Sequence, residues 1–249
     1  MQSDPQSSPD VAADQSEPNA DKFLIPRSRR RKFFIQFTFI TVLGWVMGGI
    51  ASIVLEKIIL ASWPSAGSAQ SLTLIGYLGN IVFALIFATN QALVLRRYLS
   101  GWLWMLATSL GWLIANGIST AWINYIFSIA ASLNESLSPQ VSLFFGFLST
   151  ISYILAGIWL GLFQWLVLRR YTASAWWWNF VPSISFGCIS LVVWLLSLVQ
   201  GLIPASKQML ILYGIGQGMT AVILGTIPAI GLCTLKRNSH RKTEFSSSS

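Results

Sequence analysis

The chain contains few side chains that could act as catalytic or metal-binding groups. Its single histidine, His240, lies in a polar C-terminal segment, and Glu56 is the one acid of eight within an apolar stretch. Metal sites and Ser-His mechanisms usually need an imidazole in a structured position. Because Glu56 lies beside Lys57 near the end of its stretch, we expect it to reach the interface; a cation or proton site is the alternative. We predict no catalytic residue, no metal and no cofactor.

The most distinctive polar side chains belong to a repeated octet, QALVLRRY at residues 91–98 and QWLVLRRY at 164–171. Each octet glutamine precedes the paired arginines by five residues, about 7–8 Å along a helix. A membrane-embedded amide needs a hydrogen-bonding partner. We expect structural interhelical hydrogen bonds; a polar ring around a cytoplasmic vestibule is the alternative. The amides predicted to make interhelical contacts are Gln91, Gln164, Asn80 and Asn116.

The elements that carry these residues are predicted to be transmembrane helices. Hydrophobic residues make up 54% of the chain and charged residues 10%, against about 25% charged residues in soluble domains. A helix needs roughly 20 apolar residues to cross a membrane. The stretches that qualify are 33–60, 71–95, 101–130, 141–168, 176–200 and 209–235. We predict an all-α membrane protein with six transmembrane helices.

The basic residues predict the orientation of these helices. Of 16 lysines and arginines, only Lys57 and Lys207 fall on the side opposite the termini. The positive-inside rule therefore predicts cytoplasmic N- and C-termini. The predicted cytoplasmic anchors are Arg96, Arg97, Arg169, Arg170, Lys236 and Arg237; a specific anion site is the alternative for the octet arginines. The residues predicted to bind anionic lipid headgroups are Arg29, Arg30, Arg31 and Lys32, and nucleic acid is not an expected partner.

Polar segments flank the predicted membrane domain. Residues 1–21 contain five acids and almost no large apolar side chain, so we expect disorder. The predicted domains are a disordered cytoplasmic tail at 1–32 ending in the basic block, a transmembrane domain at 33–235 and a polar tail at 236–249. No secretory signal peptide is expected at the start of the sequence.

The helices are predicted to form three copies of one hairpin, at about 33–97, 101–170 and 176–237. The even helices end in the two octets and, in the third copy, in GLCTLKR, where Gly231 replaces glutamine. The odd helices share VLGW, SLGW and the more distant SISF. Matched positions lie about 67–74 residues apart, and each copy starts on the same side, as in parallel repeats.

Aromatic and small residues suggest how the hairpins meet the membrane and one another. We expect the aromatic residues next to the octets to lie at the membrane interface: Tyr98, Trp102, Trp104, Tyr171, Trp176, Trp177 and Trp178. GxxxG spacings predict close helix packing at Gly44 and Gly48, Gly157 and Gly161, and Gly214 and Gly218.

The pattern Q-x-L-V-L-R-R, followed by a Trp-rich helix start and an L-G-W helix, resembles a group of small multi-pass membrane proteins of cyanobacteria. The resemblance covers residues 33–237, and the third copy departs from it at Gly231, Lys236 and Ser185–Phe186. The group has no established activity. The resemblance therefore implies a cyanobacterial plasma or thylakoid membrane and supplies no site residue.

Two functional hypotheses follow from the sequence. The first is a non-enzymatic accessory, scaffold or assembly subunit of a larger membrane complex, because buried charge is scarce and aromatic residues are abundant. The aromatic residues expected on its outer faces, toward lipid or a partner, are Phe33, Phe34, Phe37, Phe39, Phe144, Phe145 and Phe147. The second is a transporter or channel for a small neutral or hydrophobic solute, motivated by the threefold repeat and the amides.

Overall fold

The fold is described by a computed structural model that covers residues 23–62, 68–132 and 139–238. Within these ranges the chain forms six long helices, which confirms the predicted all-α class. The helices are α1 (Arg30–Ser62), α2 (Ala69–Leu95), α3 (Gly101–Ser132), α4 (Pro139–Leu168), α5 (Val181–Val199) and α6 (Ala205–Thr234). The sequence expectations for residues 1–22 and 239–249, including His240, lie outside the described residues.

Five of the helices in the described ranges have the length and apolar composition needed to cross a membrane: α1, α2, α4, α5 and α6. They are the helices of a multi-pass membrane protein. The other helix, α3, is 32 residues long and is not among these five. Its crossing of the membrane stays a prediction.

The helices are arranged as a ring in chain order. Each helix packs against the next along the chain, and α6 packs against α1. We call the end where α1, α3 and α5 begin the basic end, because every Lys and Arg of the described residues except Lys57 and Lys207 lies there. The largest hydrophobic cluster lies at this end and includes Phe33, Phe37, Trp104 and Trp178.

Short backbone pairings tie the connections together at the basic end. Strand β1 (Thr172–Ala173), between α4 and α5, pairs antiparallel with β2 (Lys236–Arg237), after α6. Phe23 forms an antiparallel bridge with Lys236, and Leu24 N–H donates to the Leu235 carbonyl at 2.9 Å. These contacts link the segment before α1 to the segment after α6.

The structure differs here from the expected tail boundaries. The disordered tail was expected to extend to residue 32, but Leu24 and Ile25 are buried and α1 begins at Arg30. The physical reason is that Leu24 and Ile25 belong to the hydrophobic cluster of the basic end, which compensates the entropy of ordering them. The polar tail likewise begins after β2 rather than at residue 236.

Two of the three GxxxG pairs lie at close helix contacts. A Cβ added at Gly44 would lie 2.8 Å from the Cβ of Asn90 on α2, and one at Gly157 would lie 2.7 Å from the Ser183 nitrogen on α5. Around Gly214 and Gly218 there is no atom within 4 Å of such a Cβ in the described part of the chain. The close packing predicted for this third pair is wrong for the isolated chain.

Several aromatic residues expected at the surface or the interface are in the interior. Phe33 and Phe37 are 2% and 0% exposed, whereas Phe39 is 65% exposed. Trp104 and Trp178 are both fully buried, while Trp102 and Trp176 are exposed as expected. Successive helix residues point to different faces, so aromatic residues that are neighbours in the chain separate into core and surface instead of forming one outer face.

Candidate functional site

The interior of the bundle contains a layer of aromatic and polar side chains at the depth of the octet glutamines. Gln91 on α2 is 3% exposed, and its side-chain oxygen accepts a hydrogen bond from the Trp104 indole on α3 at 3.3 Å. The octet and the buried indole therefore join the second helix to the third. This contact is a hydrogen bond between two helices, as expected for Gln91.

The second octet makes the corresponding contact and one more. Gln164 on α4 is 5% exposed, and its oxygen accepts from the Trp178 indole at 3.0 Å. Its side-chain nitrogen donates to the Thr108 hydroxyl on α3 at 3.2 Å. Gln164 therefore bridges the helix before it and the helical segment after it. The Trp104 and Trp178 rings contact each other with centroids 6.1 Å apart.

The junction between the third copy and the first lacks all three polar members of this arrangement. The aligned segments match Gln91 and Gln164 with Gly231, and Trp104 and Trp178 with Phe37. They likewise match Thr41 and Thr108 with Pro182. Acceptor and donor are lost together, so neither an unpaired amide nor an unpaired indole remains at that position. Thr41 keeps its hydroxyl, which is buried and without a hydrogen-bond partner within the described residues.

A second aromatic layer lies eight residues further along the odd helices, about 12 Å deeper. Trp45 and Trp112 contact with centroids 5.8 Å apart, and Trp112 contacts Phe186 at 6.3 Å. The Trp45 indole donates to Gln217 at 3.0 Å, and the Trp112 indole donates to Asn80 at 3.2 Å. Each bond crosses to another helix of the ring.

Asn116 is the predicted amide without such a contact. It is exposed, makes no hydrogen bond within the described residues, and lines a cavity of about 110 Å³. Ser119 and Tyr153 also line this cavity, and its remaining walls include the rings of Trp45, Trp112 and Phe186. The cavity therefore ends at the second aromatic layer.

The interior formed by the described residues contains few titratable side chains. The described residues contain no cluster of three His, Cys, Asp or Glu side chains that could hold a metal ion. Glu56, the single acid of the described ranges, is exposed on α1. Cys188 and Cys233 are free thiols that are partly buried. The interior can fill space and bond amides to indoles, and among the described charged side chains only Arg30, at the basic end, has buried polar atoms without a partner.

The predicted anchors all lie exposed at the basic end: Arg96, Arg97, Arg169, Arg170, Lys236 and Arg237. The Arg169 guanidinium lies over the Trp165 ring at 5.5 Å. In the basic block, Arg29, Arg31 and Lys32 are exposed, whereas Arg30 is partly buried over the Phe23 ring at 4.3 Å. Two of the Arg30 guanidinium nitrogens are buried without a hydrogen-bond partner in the described part.

Sequence reasoning missed the donors of the interior bonds. From the sequence, Trp104 and Trp178 are expected at the membrane interface, and Thr108 does not stand out. The sequence does contain a signal for these donors. A tryptophan follows each octet glutamine after 13 or 14 residues, and the turn between them brings the two helices together. The same comparison would have paired the loss of glutamine at Gly231 with the loss of indole at Phe37.

Comparison of the chain with protein-family models, curated proteins and solved structures finds no match.

Proposed function

We propose that the protein is a non-enzymatic integral membrane protein, an accessory, scaffold or assembly subunit of a larger membrane complex. The observation that carries the proposal is an uncovered apolar stripe on α5 and α6. Two features support it. Aromatic rings fill the centre of the bundle, and part of the inward-facing surface of α5 and α6 has no helix packed against it. The resemblance to cyanobacterial proteins favours a plasma or thylakoid membrane.

The uncovered stripe continues the buried faces of two helices. On α5, Phe186 and Ile189 are buried, and Val193, one turn further, is 56% exposed. On α6, Leu224 and Ala221 are buried, and the same face continues through Gly218 and Gly214 to Leu210, which is 79% exposed. Residues three and four apart share a helix face. The core-facing surface of both helices is therefore uncovered at the end opposite the basic end.

A transmembrane helix of another subunit fits this surface chemically. The stripe has no charged residue, and its two glycines allow a second backbone to approach closely, as in GxxxG helix pairs. Among the described residues, no atom lies within 4 Å of a Cβ added at Gly214 or Gly218. We infer that the partner's helix completes the bundle at this position.

Native gel electrophoresis of membranes solubilised in mild detergent tests the complex. We expect migration well above a 27.5 kDa chain with its detergent. Gly214→Leu and Gly218→Leu should release the chain to the monomer position, because the added side chains occupy the space of the partner helix. Thermal stability of the purified chain should not fall, since both sites are open.

Gly117→Leu is the matched control, because it adds the same side chain at another open glycine, on α3. It should leave the assembly intact. Monomeric migration of the unchanged protein in several mild detergents would contradict the scaffold proposal and raise solute transport to first place.

We also propose that α3 crosses the membrane with the other five helices, that the six helices are three repeats of one hairpin, and that the termini are cytoplasmic. Support for the repeat comes from the corresponding bonds of Gln91 with Trp104 and Gln164 with Trp178. The orientation is supported by the cations of the basic end.

Single introduced cysteines test this topology after Cys188 and Cys233 are replaced. We expect a membrane-impermeant maleimide to label Ser68→Cys and Gly201→Cys from the outside and to leave Arg27→Cys unlabelled until the membrane is opened. Replacement of Arg96 and Arg97 alone should not invert the protein, because the basic residues are distributed over four segments. The reverse labelling pattern would refute cytoplasmic termini.

The cavity next to Asn116 favours one second candidate, transport of a small neutral or hydrophobic solute. Its volume of about 110 Å³ suits a solute of a few heavy atoms, but the rings of Trp45, Trp112 and Phe186 form one wall. Passage would require these rings to separate. Solute flux into proteoliposomes that rises on Trp112→Ala would favour this candidate over the scaffold.

A further inference from the structure

A crevice runs between the start of α1 and the end of α2 at the basic end. Its upper part, about 330 Å³, is lined by Arg29, Lys32 and Arg97 together with Phe33, Gln36 and Tyr98. Its lower part, about 370 Å³, is lined by Phe39, Ile40, Leu93 and Val94. Gln36, Arg97 and Tyr98 line both parts, so the crevice is continuous from a cationic mouth to an apolar wall.

Aromatic packing forms the floor of the crevice. Phe33 is 2% exposed and contacts the Tyr98 ring edge-on, with centroids 5.5 Å apart. The Phe33 ring also stacks on Phe37 at 5.5 Å. The two helices are therefore held together behind the crevice, and the volume of each part lies within the range of about 300–1,000 Å³ typical of small-molecule sites.

Within the described ranges, no carboxylate lies beside the cations at the mouth. Glu56 is the one acid in the described ranges, and it lies on the far half of α1. The basic end carries eleven described cations: Arg27, Arg29, Arg30, Arg31, Lys32, Arg96, Arg97, Arg169, Arg170, Lys236 and Arg237. Arginine and lysine side chains that converge from two chain segments bind phosphate groups well.

We propose that this crevice is a binding site for one anionic phospholipid, which has its phosphate at Arg29, Lys32 and Arg97 and an acyl chain along Phe39, Ile40 and Leu93. A free phosphate would use the mouth alone and leave the apolar wall uncovered. The site goes beyond general attraction of the basic block, because Arg97 comes from the first octet and the wall comes from both helices. It does not depend on the proposed complex and requires only that the basic end lies at a headgroup layer.

Native mass spectrometry of the full chain in mild detergent tests the site. The probes are phosphatidylglycerol and phosphatidylcholine with the same acyl chains. We expect one phosphatidylglycerol to bind more tightly than any phosphatidylcholine. Arg97→Gln should weaken this first binding event about fivefold, the effect of one basic residue near an anionic surface.

Arg170→Gln is the matched control, because it removes the same charge at the corresponding position of the second octet. It should leave the first phosphatidylglycerol in place. Phe39→Ala should weaken phosphatidylglycerol binding without changing the net charge. Equal losses in Arg97→Gln and Arg170→Gln, or equal binding of the two lipids, would overturn the proposal. Arg97 and Arg170 are exposed, and melting temperatures would verify that both variants fold.

Two further experiments distinguish a bound lipid from other anions. Inorganic phosphate at millimolar concentration should not displace phosphatidylglycerol; displacement would show a site for a free anion. Deletion of residues 1–21, which contain five acids, should leave the first binding event unchanged. Lipid binding that occurs only after this deletion would assign the crevice to the acidic segment instead.

Discussion

Replacing Gly161 with alanine is expected to destabilise the protein by about 1–3 kcal/mol, the usual cost of overpacking a core. A Cβ at this position would meet the Asn179 carbonyl oxygen and would lie 2.7 Å from its carbonyl carbon and 2.8 Å from its Cα. All three are backbone atoms, which cannot rotate away as a side chain can. The segment before α5 would have to separate from α4, and Gln164, three residues from Gly161, would lose alignment with Trp178.

Thermal unfolding in detergent measures this effect against Gly146→Ala in the same helix. No atom of the described residues lies within 4 Å of a Cβ at Gly146. Because alanine favours a helix over glycine by up to about 1 kcal/mol in water, the control should be neutral or slightly stabilised. An equal response of the two variants would disprove the close contact at Gly161.

Replacing Gln164 with leucine is the second large expected effect. The variant should still insert, because leucine is apolar, but it leaves the Trp178 indole and the Thr108 hydroxyl without their partner. Buried groups left without a partner usually cost about 1–3 kcal/mol. Gln91→Leu should cost less, because Gln91 makes a single bond, at 3.3 Å, to Trp104. Melting curves of both variants in the same detergent provide the comparison.

The junction between the third copy and the first suggests how the Gln164 defect can be relieved. There Gly231 and Phe37 replace the glutamine and the indole together. We therefore expect Trp178→Phe to cost less in the Gln164→Leu background than alone, by about 1 kcal/mol, the typical net contribution of one hydrogen bond. A double-mutant cycle measures this difference. Strictly additive losses would show that the hydrogen bond contributes nothing to stability.

The helical architecture could be predicted from the sequence because it depends on long apolar runs. The stretches 71–95 and 141–168 correspond closely to α2 (Ala69–Leu95) and α4 (Pro139–Leu168). The positions at which the helices begin and end were less predictable. Residues 176–180 form a short 3-10 helix before α5, and Arg30 to Lys32 belong to α1. Charge and local composition do not reveal which polar residues extend a helix into the headgroup layer.

The candidate site was predicted in part, and the missing part depended on tertiary contacts. Gln91, Gln164 and Asn80 were selected as polar residues in apolar helices, and all three bond to indoles. Their donors were missed because tryptophan near a helix end was interpreted by its usual interfacial preference. At Trp104 and Trp178 the contact with a buried amide replaces water as the indole's partner, so both rings can be fully buried.

Asn116 is an exception to the expectation that a polar residue in an apolar helix bonds to another helix. It was expected to bond to another helix because polar groups in lipid are costly. Asn116 is exposed, and its amide lines a cavity instead. The sequence carries no direct signal for this cavity, which is bounded by rings from α1, α3 and α5.

The packing of α6 against α1 has a consequence for the synthesis of the protein. The Trp45 indole donates a hydrogen bond to Gln217 on α6, and a Cβ added at Gly225 would lie 3.0 Å from the Thr38 Cα. About 170 residues separate the ends of these two helices, which corresponds to about 10–35 s of translation at about 5–20 residues per second. During that interval the side of α1 that packs against α6 in the folded protein has no partner, and the Trp45 indole has no acceptor on α6. Insertion factors that shield this side until the last helix arrives would therefore determine the yield of folded protein.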